Sequence, residues 1–296
     1  MKCIHSSEAA LEGGVYRTRN VMKKFPAEIV DVVSKLVPID DSMFQKICED
    51  IATCQEIISA ILGEQVKVIR VIPQDSIGNL KGRAVRLDCL CQLENGVNVN
   101  VEVQKRDDDD HQARVRYNAS VIAANETPKG VRFEDVARII VIYISKFDIY
   151  KSDLPIYHVD RTIRETGQKP ENGFDEIYVN ATAKKYDTEL NRNVSDLMDL
   201  FVDRDTTDVK KFPAFSKQKL VYTSTEKGEI AMCEKVQKEF DSMELLRLFG
   251  YVQRGSMKLT PAAREAKLSP REFKRQMIMS GFSLPETGRK SVATAR

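Results

Sequence analysis

Two carboxylates, Asp88 and Glu102, are separated by thirteen residues in a stretch where apolar and polar residues alternate. Such alternation is typical of β-strands, in which successive side chains point to opposite faces of a sheet. Two carboxylates that face each other on neighbouring strands do not both ionise cheaply unless a cation lies between them. Mg²⁺ binds such a pair together with phosphate oxygens, and it can promote phosphodiester hydrolysis. The pairing of the two strands therefore decides whether this chemistry is available.

The turn between the strands, Glu94-Asn95-Gly96, determines which residues face each other. A two-residue Asn-Gly loop would pair Glu94 with Val97 and would place Asp88 opposite Val103. A three-residue loop, with its glycine in the left-handed conformation, pairs Leu93 with Val97 instead. A shift of one residue moves every side chain to the other face, so the two loops make opposite predictions.

The apolar residues of one strand face the apolar residues of the other only if the loop has three residues. That loop pairs Leu93 with Val97, Cys91 with Val99, Cys89 with Val101 and Leu87 with Val103. It therefore predicts that Asp88 lies opposite Glu102 on the other face. Arg86 then lies opposite Gln104. The alternative interpretation of these polar residues is a solvated outer sheet face whose cross-strand partners serve solubility.

The segment before the strands predicts helical structure. Apolar residues recur at spacings of three and four from Met43 to Leu62, which predicts one helix, or two with a break near Thr53, ending at Gly63. Asp40-Asp41-Ser42 offers caps for its start. Val66–Ile72 alternates as a short strand, and Pro73–Gly82 is expected to be a loop.

A helix and a buried strand are predicted after the hairpin. The acidic run Asp107–Asp110 leads into a helix over His111–Asn125, and Val136–Ile144 has the continuous apolar character of a parallel strand. This order implies a right-handed crossover. Carboxylates at a helix N-terminus are stabilising, which explains the acidic run, and His111 is expected at the surface there.

These elements predict an α/β fold with a core of helix, three-stranded antiparallel meander, helix and parallel strand, followed by a mainly helical C-terminal region. The later elements expected are strands at Leu154–Asp160 and Glu176–Asn180 and helices at Val194–Val202, Val209–Leu220 and Lys227–Phe249. The predicted organisation is a lead-in over 1–37, the core over 38–150, an α/β accessory region continuing it over 151–250 and a basic tail over 251–296.

Composition excludes several classes of protein. The 296 residues are 42% hydrophobic and 30% charged, which supports a packed core and excludes wholesale disorder. The longest apolar run, Ile139–Ile144, is too short for a membrane span, and the first residues lack the apolar core of a signal peptide. A cytoplasmic protein with no membrane partner is expected. The net charge of +2 is too balanced to indicate a nucleic-acid partner by itself, although ten Lys and Arg stand against three Glu from Gln253 onward.

The cysteines indicate no metal site by their spacing. The six are Cys3, Cys48, Cys54, Cys89, Cys91 and Cys233, and none forms the CxxC pair typical of zinc sites. Cys89 and Cys91 are expected on one face of their strand as small apolar core residues, with a thiol site as the alternative. A reducing compartment fits this cysteine usage best.

The spacing of Asp88, Glu102 and Gln104 on a hairpin, with a helix before it and a helix and strand after it, resembles the PD-(D/E)XK nuclease superfamily. More narrowly, the chain is similar to bacterial recombination-promoting nuclease and transposase families, whose core is restriction-endonuclease-like. The resemblance covers most of residues 38–245. It is carried by Pro38-Ile39-Asp40-Asp41-Ser42-Met43-Phe44, Arg86-Leu87-Asp88, Val101-Glu102-Val103-Gln104, Arg116-Tyr117 and Ile139–Ile144, and more faintly by Ile177–Asn180 and Glu226–Cys233.

The resemblance implies a site at the hairpin. Asp88 and Glu102 would be the metal-binding carboxylates, with the Val103 carbonyl completing the protein ligands. Gln104 stands where the superfamily usually has Lys, and a neutral amide can orient water but supplies no charge. More of the electrostatic work would then fall to the metal and to nearby cations expected to contact nucleic acid, which are Lys105, Arg106, Arg114 and Arg116.

A further acidic residue often comes from the first helix in this superfamily. Glu56 is the candidate for this catalytic position and Glu49 is its competitor, while a surface glutamate is the alternative for either.

The function implied by the resemblance is hydrolysis of double-stranded DNA with Mg²⁺ or Mn²⁺, in recombination or mobile-element biology, by a chain that can form a homodimer. The alternative is a nucleic-acid- or protein-binding module that kept the fold and lost hydrolysis. Gln104 and the acidic run Asp107–Asp110 favour that alternative. The basic tail is expected to add sequence-independent DNA affinity, with plain solubility as its other interpretation.

Overall fold

The computed structural model describes residues 24–77 and 85–285. Six strands within these residues form one mixed sheet in the order β1-β2-β3-β4-β6-β5. The strands are β1 Val68–Ile77, β2 Val85–Leu93, β3 Asn98–Gln104, β4 Ile139–Ser145, β5 Ile156–Val159 and β6 Phe174–Asn180. β1, β2 and β3 are antiparallel neighbours, and β4 is parallel to both β3 and β6. The predicted meander and its parallel strand are confirmed.

The hairpin between β2 and β3 has the three-residue loop. The Leu93 N–H donates to the Val97 carbonyl at 2.8 Å, and Gly96 has a φ of 86°, a left-handed conformation that glycine adopts without steric cost. The Cα ladder then pairs Cys91 with Val99 and Cys89 with Val101. This is the register selected by matching the apolar residues.

The first strand is longer than its sequence pattern indicates. β1 continues through Pro73 to Ile77, so the prediction of a loop from Pro73 is wrong for its first five residues, while residues 78–82 lie outside the described range. β1 is at the edge of the described sheet, where the missing N–H of a proline costs no ladder hydrogen bond.

Helices precede, interrupt and follow these strands along the described part of the chain. Their bounds are α1 Ala27–Ser34, α2 Asp41–Ile47, α3 Ile51–Leu62, α4 His111–Glu126, α5 Glu189–Val202, α6 Pro213–Ser224, α7 Glu226–Gln253, α8 Leu259–Glu265 and α9 Pro270–Met279. The helical run predicted from Met43 is two helices. The break occurs before Thr53, because the Asp50 side chain accepts from the Thr53 N–H at 2.9 Å and starts α3.

The helix α1 falls in the segment that the sequence pattern marked as an aperiodic lead-in. Ile29 and Val33 are buried, and the Arg204 side chain donates to the carbonyls of Val33 and Leu36 at 3.1 and 2.7 Å. The segment of α1 and the residues just after it is therefore held by a later residue, a contact that local periodicity does not reveal.

The chain divides into two compact units, residues 1–233 and 234–296. The second unit has its own apolar cluster, formed by Leu248, Phe249, Val252, Ala262, Ala263, Phe273 and Met277. Ser269 caps α9 by accepting from the Glu272 N–H at 3.2 Å. The sequence-based boundaries at 150 and 250 stay predictions. Across the described residues, the helices are all too short or too polar to cross a membrane.

Candidate metal-binding active site

Asp88 lies on β2 one residue beyond the last paired position of the β2–β3 ladder. Its Oδ2 accepts a hydrogen bond from the Val103 N–H at 3.1 Å, and its Oδ1 accepts from Gln45 Nε2 on α2 at 3.3 Å. The side chain is 8% exposed. Two donors from different elements thus fix the orientation of a buried carboxylate.

The contact between Asp88 and Val103 marks the place where the two strands separate. The ladder pairs residues as far as Cys89 and Val101. Had it continued, the Val103 N–H would have donated to the Leu87 carbonyl, but it donates to the Asp88 carboxylate instead. Because the N–H and C=O of one residue in an antiparallel strand point to the same side, the Val103 carbonyl faces the edge at which Asp88 lies.

Glu102 precedes Val103 on β3 and is 5% exposed. Its Oε1 accepts from Asn100 Nδ2 at 2.7 Å. The two side chains meet because residues two apart on a strand share a face. Asn100 is fully buried, and its Oδ1 is the one buried side-chain N or O atom among the described residues that lacks a hydrogen-bond partner.

The electrostatics of the pair agree with the strand geometry. Burial, followed by the nearby charge of Asp88, raises the pKa of Glu102 well above its usual range, while the Asn100 hydrogen bond and the charge of Arg114 act in the opposite direction. The β2–β3 register puts Asp88 and Glu102 at facing positions on the same side of the sheet, just beyond the pair of Cys89 and Val101, and this placement accounts for the effect of the Asp88 charge. The Arg86 side chain, expected opposite Gln104, lies outside the described part of the structure.

The donor atoms at this site fit a hard divalent cation. They are two buried carboxylates, a backbone carbonyl directed towards them and an amide oxygen without a partner, from Asp88, Glu102, Val103 and Asn100. Oxygen donors of this kind are those that Mg²⁺ and Mn²⁺ prefer. A cation here would relieve the repulsion between the carboxylates and would satisfy the amide oxygen.

The side chain of Gln104 is committed to the loop that follows β3. Its Nε2 donates to the Arg106 carbonyl at 2.9 Å and to Asp108 Oδ2 at 3.0 Å. Both amide hydrogens are therefore used, and Oε1 is the atom through which the half-buried side chain can bind water.

Two of the four cations expected to contact nucleic acid are paired with carboxylates. Lys105 Nζ lies 2.7 Å from Asp40 Oδ1, and Arg114 lies 3.1 Å from Asp110 and 3.9 Å from Asp108. These pairs reduce the positive charge that the cations can offer to phosphate.

The remaining two expected cations, Arg106 and Arg116, are exposed. Arg116 lies two residues after Arg114 on α4, and residues so spaced point to different sides of a helix. Arg116 instead lines a cleft of about 510 Å³ with Arg161 and Phe133. The structure does not bring Arg114 and Arg116 together on one surface.

Glu56, the expected acidic residue of the first helix, caps another helix. Its two carboxylate oxygens accept from the N–H groups of Ala214 and Phe215 at 3.2 and 2.8 Å, at the start of α6. Burial raises its pKa, against the effect of these two hydrogen bonds. Its competitor Glu49 forms a 2.7 Å ion pair with Lys46. The helical residue that reaches Asp88 is Gln45, which the sequence analysis missed because a single amide in an amphipathic helix carries no distinctive signal.

His111 is buried rather than at the surface, with 6% of its area exposed. Its Nε2 lies 2.8 Å from Asp107 Oδ1 and its Nδ1 lies 2.9 Å from the Tyr143 hydroxyl. Tyr143 is also the ladder partner of Glu102, and burial raises its pKa. The expectation of a surface histidine is wrong because α4 packs its first residue against β4. The i, i+4 spacing of Asp107 and His111 was the available signal.

Comparison with known proteins gives one family. A family model described as a PD-(D/E)XK nuclease family transposase matches residues 43–239. The match includes the hairpin with both carboxylates, all of α3 and the part of α2 from residue 43 onward. No curated protein and no solved structure matches the chain.

Proposed function

Because the chain belongs to the PD-(D/E)XK nuclease family transposases, we propose that it is a metal-dependent endonuclease that hydrolyses phosphodiester bonds of double-stranded DNA. Membership itself indicates a nuclease or transposase-related function. The proposal adds the metal, the substrate and a role in recombination or in the movement of genetic elements.

One observation carries the proposal. The carboxyl groups of Asp88 and Glu102 are both buried at the point where β2 and β3 separate, and the Asp88 carboxylate accepts from the N–H of Val103, the residue directly after Glu102. Two buried like charges are costly in a stable fold unless they serve a ligand. The partnerless oxygen of Asn100 beside them supports the same interpretation.

The chain's own residues hold the proposed site in place. Asp88, Glu102 and the Val103 carbonyl would hold Mg²⁺ or Mn²⁺, with Asn100 Oδ1 as a further donor. When bound, such an ion polarises a phosphate oxygen and lowers the pKa of a bound water. Gln45 and the Val103 N–H orient Asp88, and Asn100 orients Glu102, so the carboxylates need little rearrangement on binding.

Gln104 can perform only part of the role that lysine usually has at this position in the superfamily. Its amide oxygen can accept a hydrogen bond from water and so orient it for attack on phosphorus. It adds no positive charge, and its two hydrogens are used by the Arg106 carbonyl and by Asp108. Arg114 is the cation whose charge reaches Glu102, and we propose that it offsets part of the charge on the substrate phosphate.

A second candidate function is binding of nucleic acid or protein without hydrolysis. It is favoured by the pairing of Lys105 with Asp40 and of Arg114 with Asp110, which leaves less positive charge for the transition state. In this case the carboxylates would be inherited from active relatives, and the protein would still bind its partner.

Cleavage of supercoiled plasmid DNA tests the proposal. Wild-type protein should nick or linearise the plasmid with Mg²⁺ or Mn²⁺ and should be inactive in excess chelator. Asp88→Asn should be inactive but folded, because the asparagine oxygen can still accept from the Val103 N–H. Glu94→Gln is the matched control, since Glu94 is an exposed residue of the same hairpin, and it should retain activity.

Two results would reject the proposed activity. Wild-type cleavage that persists in chelator would exclude a metal-dependent reaction, and equal cleavage by Asp88→Asn would exclude this site. DNA binding without cleavage under any divalent cation would favour the second candidate.

We also propose a cytoplasmic location for this activity. The described residues contain free, buried thiols at Cys48, Cys54, Cys89, Cys91 and Cys233, as a reducing compartment permits.

A further inference from the structure

Four cysteines from three elements meet in the interior of the first unit. Cys48 is the residue at the C-terminal end of α2, Cys54 lies on α3, and Cys89 and Cys91 lie on β2. Each is at most 2% exposed. Sequence spacing indicated no zinc site, because the tertiary structure and not a CxxC pair brings these side chains together.

The sulfur atoms are close neighbours. Cys54 Sγ lies 3.8 Å from Cys89 Sγ, and Cys89 Sγ lies 3.6 Å from Cys91 Sγ. The sulfurs of Cys48, Cys54 and Cys89 all lie within 4.8 Å of one another. Three of the sulfurs therefore form a compact group, and the sulfur of Cys91 adjoins it through Cys89.

These distances fit ligation of a single metal ion. A disulfide would bring two sulfurs to about 2.05 Å, and no such bond is present among the four. A tetrahedral zinc ion with Zn–S bonds of about 2.3 Å holds its sulfurs about 3.8 Å apart. We propose that Cys48, Cys54 and Cys89 bind one structural zinc ion, with Cys91, whose sulfur lies 3.6 Å from that of Cys89, as the fourth ligand, at a site separate from the carboxylate site of the proposed nuclease.

The ligand set favours zinc over an iron–sulfur cluster. A cluster distributes its cysteine ligands over several iron atoms, which spreads the sulfurs further than the mutual distances seen for Cys48, Cys54 and Cys89. Soft thiolates select zinc among the common divalent ions. Four protein ligands with no exposed position make a closed site, as structural zinc sites are.

Binding follows a simple proton balance. Four thiols and one Zn²⁺ give a tetrathiolate complex of charge −2 and release four protons to solvent, so the affinity falls on acidification. Cys54 is in the first turn of α3, where the positive end of the helix dipole stabilises a negative sulfur.

The ion would also stiffen the elements that carry the carboxylate site. Cys89 directly follows Asp88 on β2, and Cys48 is three residues after Gln45 at the end of α2. A zinc ion that joins α2, α3 and β2 would thus hold Gln45 against Asp88. This coupling predicts that loss of zinc weakens the carboxylate site indirectly, although the zinc takes no part in the reaction.

The metal content of the full-length wild-type protein tests this proposal. Protein purified without chelator should contain about one zinc per chain by mass spectrometry. X-ray absorption at the zinc edge should show a shell of sulfur atoms at about 2.3 Å. Both measurements use the unaltered chain, so they do not depend on any variant folding correctly.

Variants then identify the ligands. Cys91→Ser and Cys54→Ser should each lower the zinc content and replace sulfur in the spectrum, whereas Cys233→Ser, a buried cysteine outside the cluster, should leave both unchanged. Asp88→Asn should also retain the zinc, which separates this site from the nuclease metal whatever the fate of the nuclease proposal.

Two results would overturn the proposal. One is a wild-type protein that contains no zinc as isolated and takes up none when refolded with Zn²⁺, in which case the four residues are close-packed core thiols. The other is a zinc ion whose X-ray absorption shows oxygen and nitrogen ligands instead of sulfur, and which is lost from the Asp88→Asn variant.

Discussion

The Asp88 carboxylate accepts the Val103 N–H at 3.1 Å in place of a backbone carbonyl. The β2–β3 ladder ends at the pair of Cys89 and Val101, next to this contact. The contact places the Asp88 carboxylate between the two strands, beside Val103, the residue that directly follows Glu102. A side chain, and not the backbone of β2, therefore satisfies the Val103 N–H at this point.

Glu102→Gln removes one of two neighbouring buried charges at nearly constant volume. The apo protein should remain folded, because the change relieves repulsion with Asp88. Mg²⁺ should raise the melting temperature of the wild type by binding the folded state and should fail to do so in the variant. Loss of several kcal/mol of transition-state stabilisation should reduce cleavage by about a hundredfold or more. An equal Mg²⁺-induced shift in both proteins, measured by differential scanning fluorimetry, would show that Glu102 is not a ligand.

Gln45→Met should weaken the site without removing a ligand. Methionine preserves most of the volume of the side chain, but it cannot donate to Asp88 Oδ1. Loss of such an orienting partner typically costs about 10–100-fold in metal affinity or activity. The Mg²⁺ dependence of the cleavage rate measures the effect. Gln112→Met, at an exposed position of α4, is the control, and similar behaviour of the two variants would contradict a positioning role for Gln45.

Gln104→Lys restores the charge that the superfamily usually has, but Asp108 lies within reach of it. We expect the new ammonium to pair with Asp108, so that kcat/KM changes by less than about threefold. In combination with Asp108→Asn, the lysine should be free to act on phosphate and should raise kcat/KM by about tenfold. A double-mutant cycle measures this coupling. If Gln104→Lys abolishes activity in both backgrounds while the fold persists, the amide has a specific role of its own.

The basic C-terminal unit should contribute sequence-independent DNA affinity. Truncation at Gly250 would separate Phe249 from Phe273 and Met277, its partners in an apolar cluster, so neutralisation of surface cations is the better test. Lys267, Arg271 and Lys274 are exposed. Their joint replacement by Gln should reduce the slope of log K against log salt by up to about 2.7, at about 0.9 for each lost phosphate contact.

Fluorescence anisotropy over a range of salt concentrations measures this slope. The control replaces three exposed lysines of the first unit, Lys129, Lys217 and Lys227. Cleavage at saturating DNA should not change in either variant. An unchanged slope in the C-terminal variant would leave those cations with a role in solubility only.

The central hairpin could be predicted from the sequence because its constraints are local. Side chains alternate with a period of two along a strand, and Gly96 selects the three-residue loop, so the register followed from the match of apolar residues. The same reasoning predicted Asp88 and Glu102 on one face of the sheet, and it identified β4 as a buried parallel strand. These features could be predicted because they depend on residues close together in sequence and on the type of one turn.

The surroundings of that pair were decided by tertiary packing. Gln45 and Asp88 are 43 residues apart, and the thiols of Cys54 and Cys89 are 35 apart. Each contact depends on where a helix lies on the sheet, which periodicity leaves open because it identifies the apolar face of a helix but not its position along the strands. The same holds for Glu56, which has the residue type expected of an active-site acid yet accepts from the backbone of α6. The sequence alone determined the paired carboxylates and their register, whereas the docking of α2, α3 and α4 on the sheet decided which side chains support them.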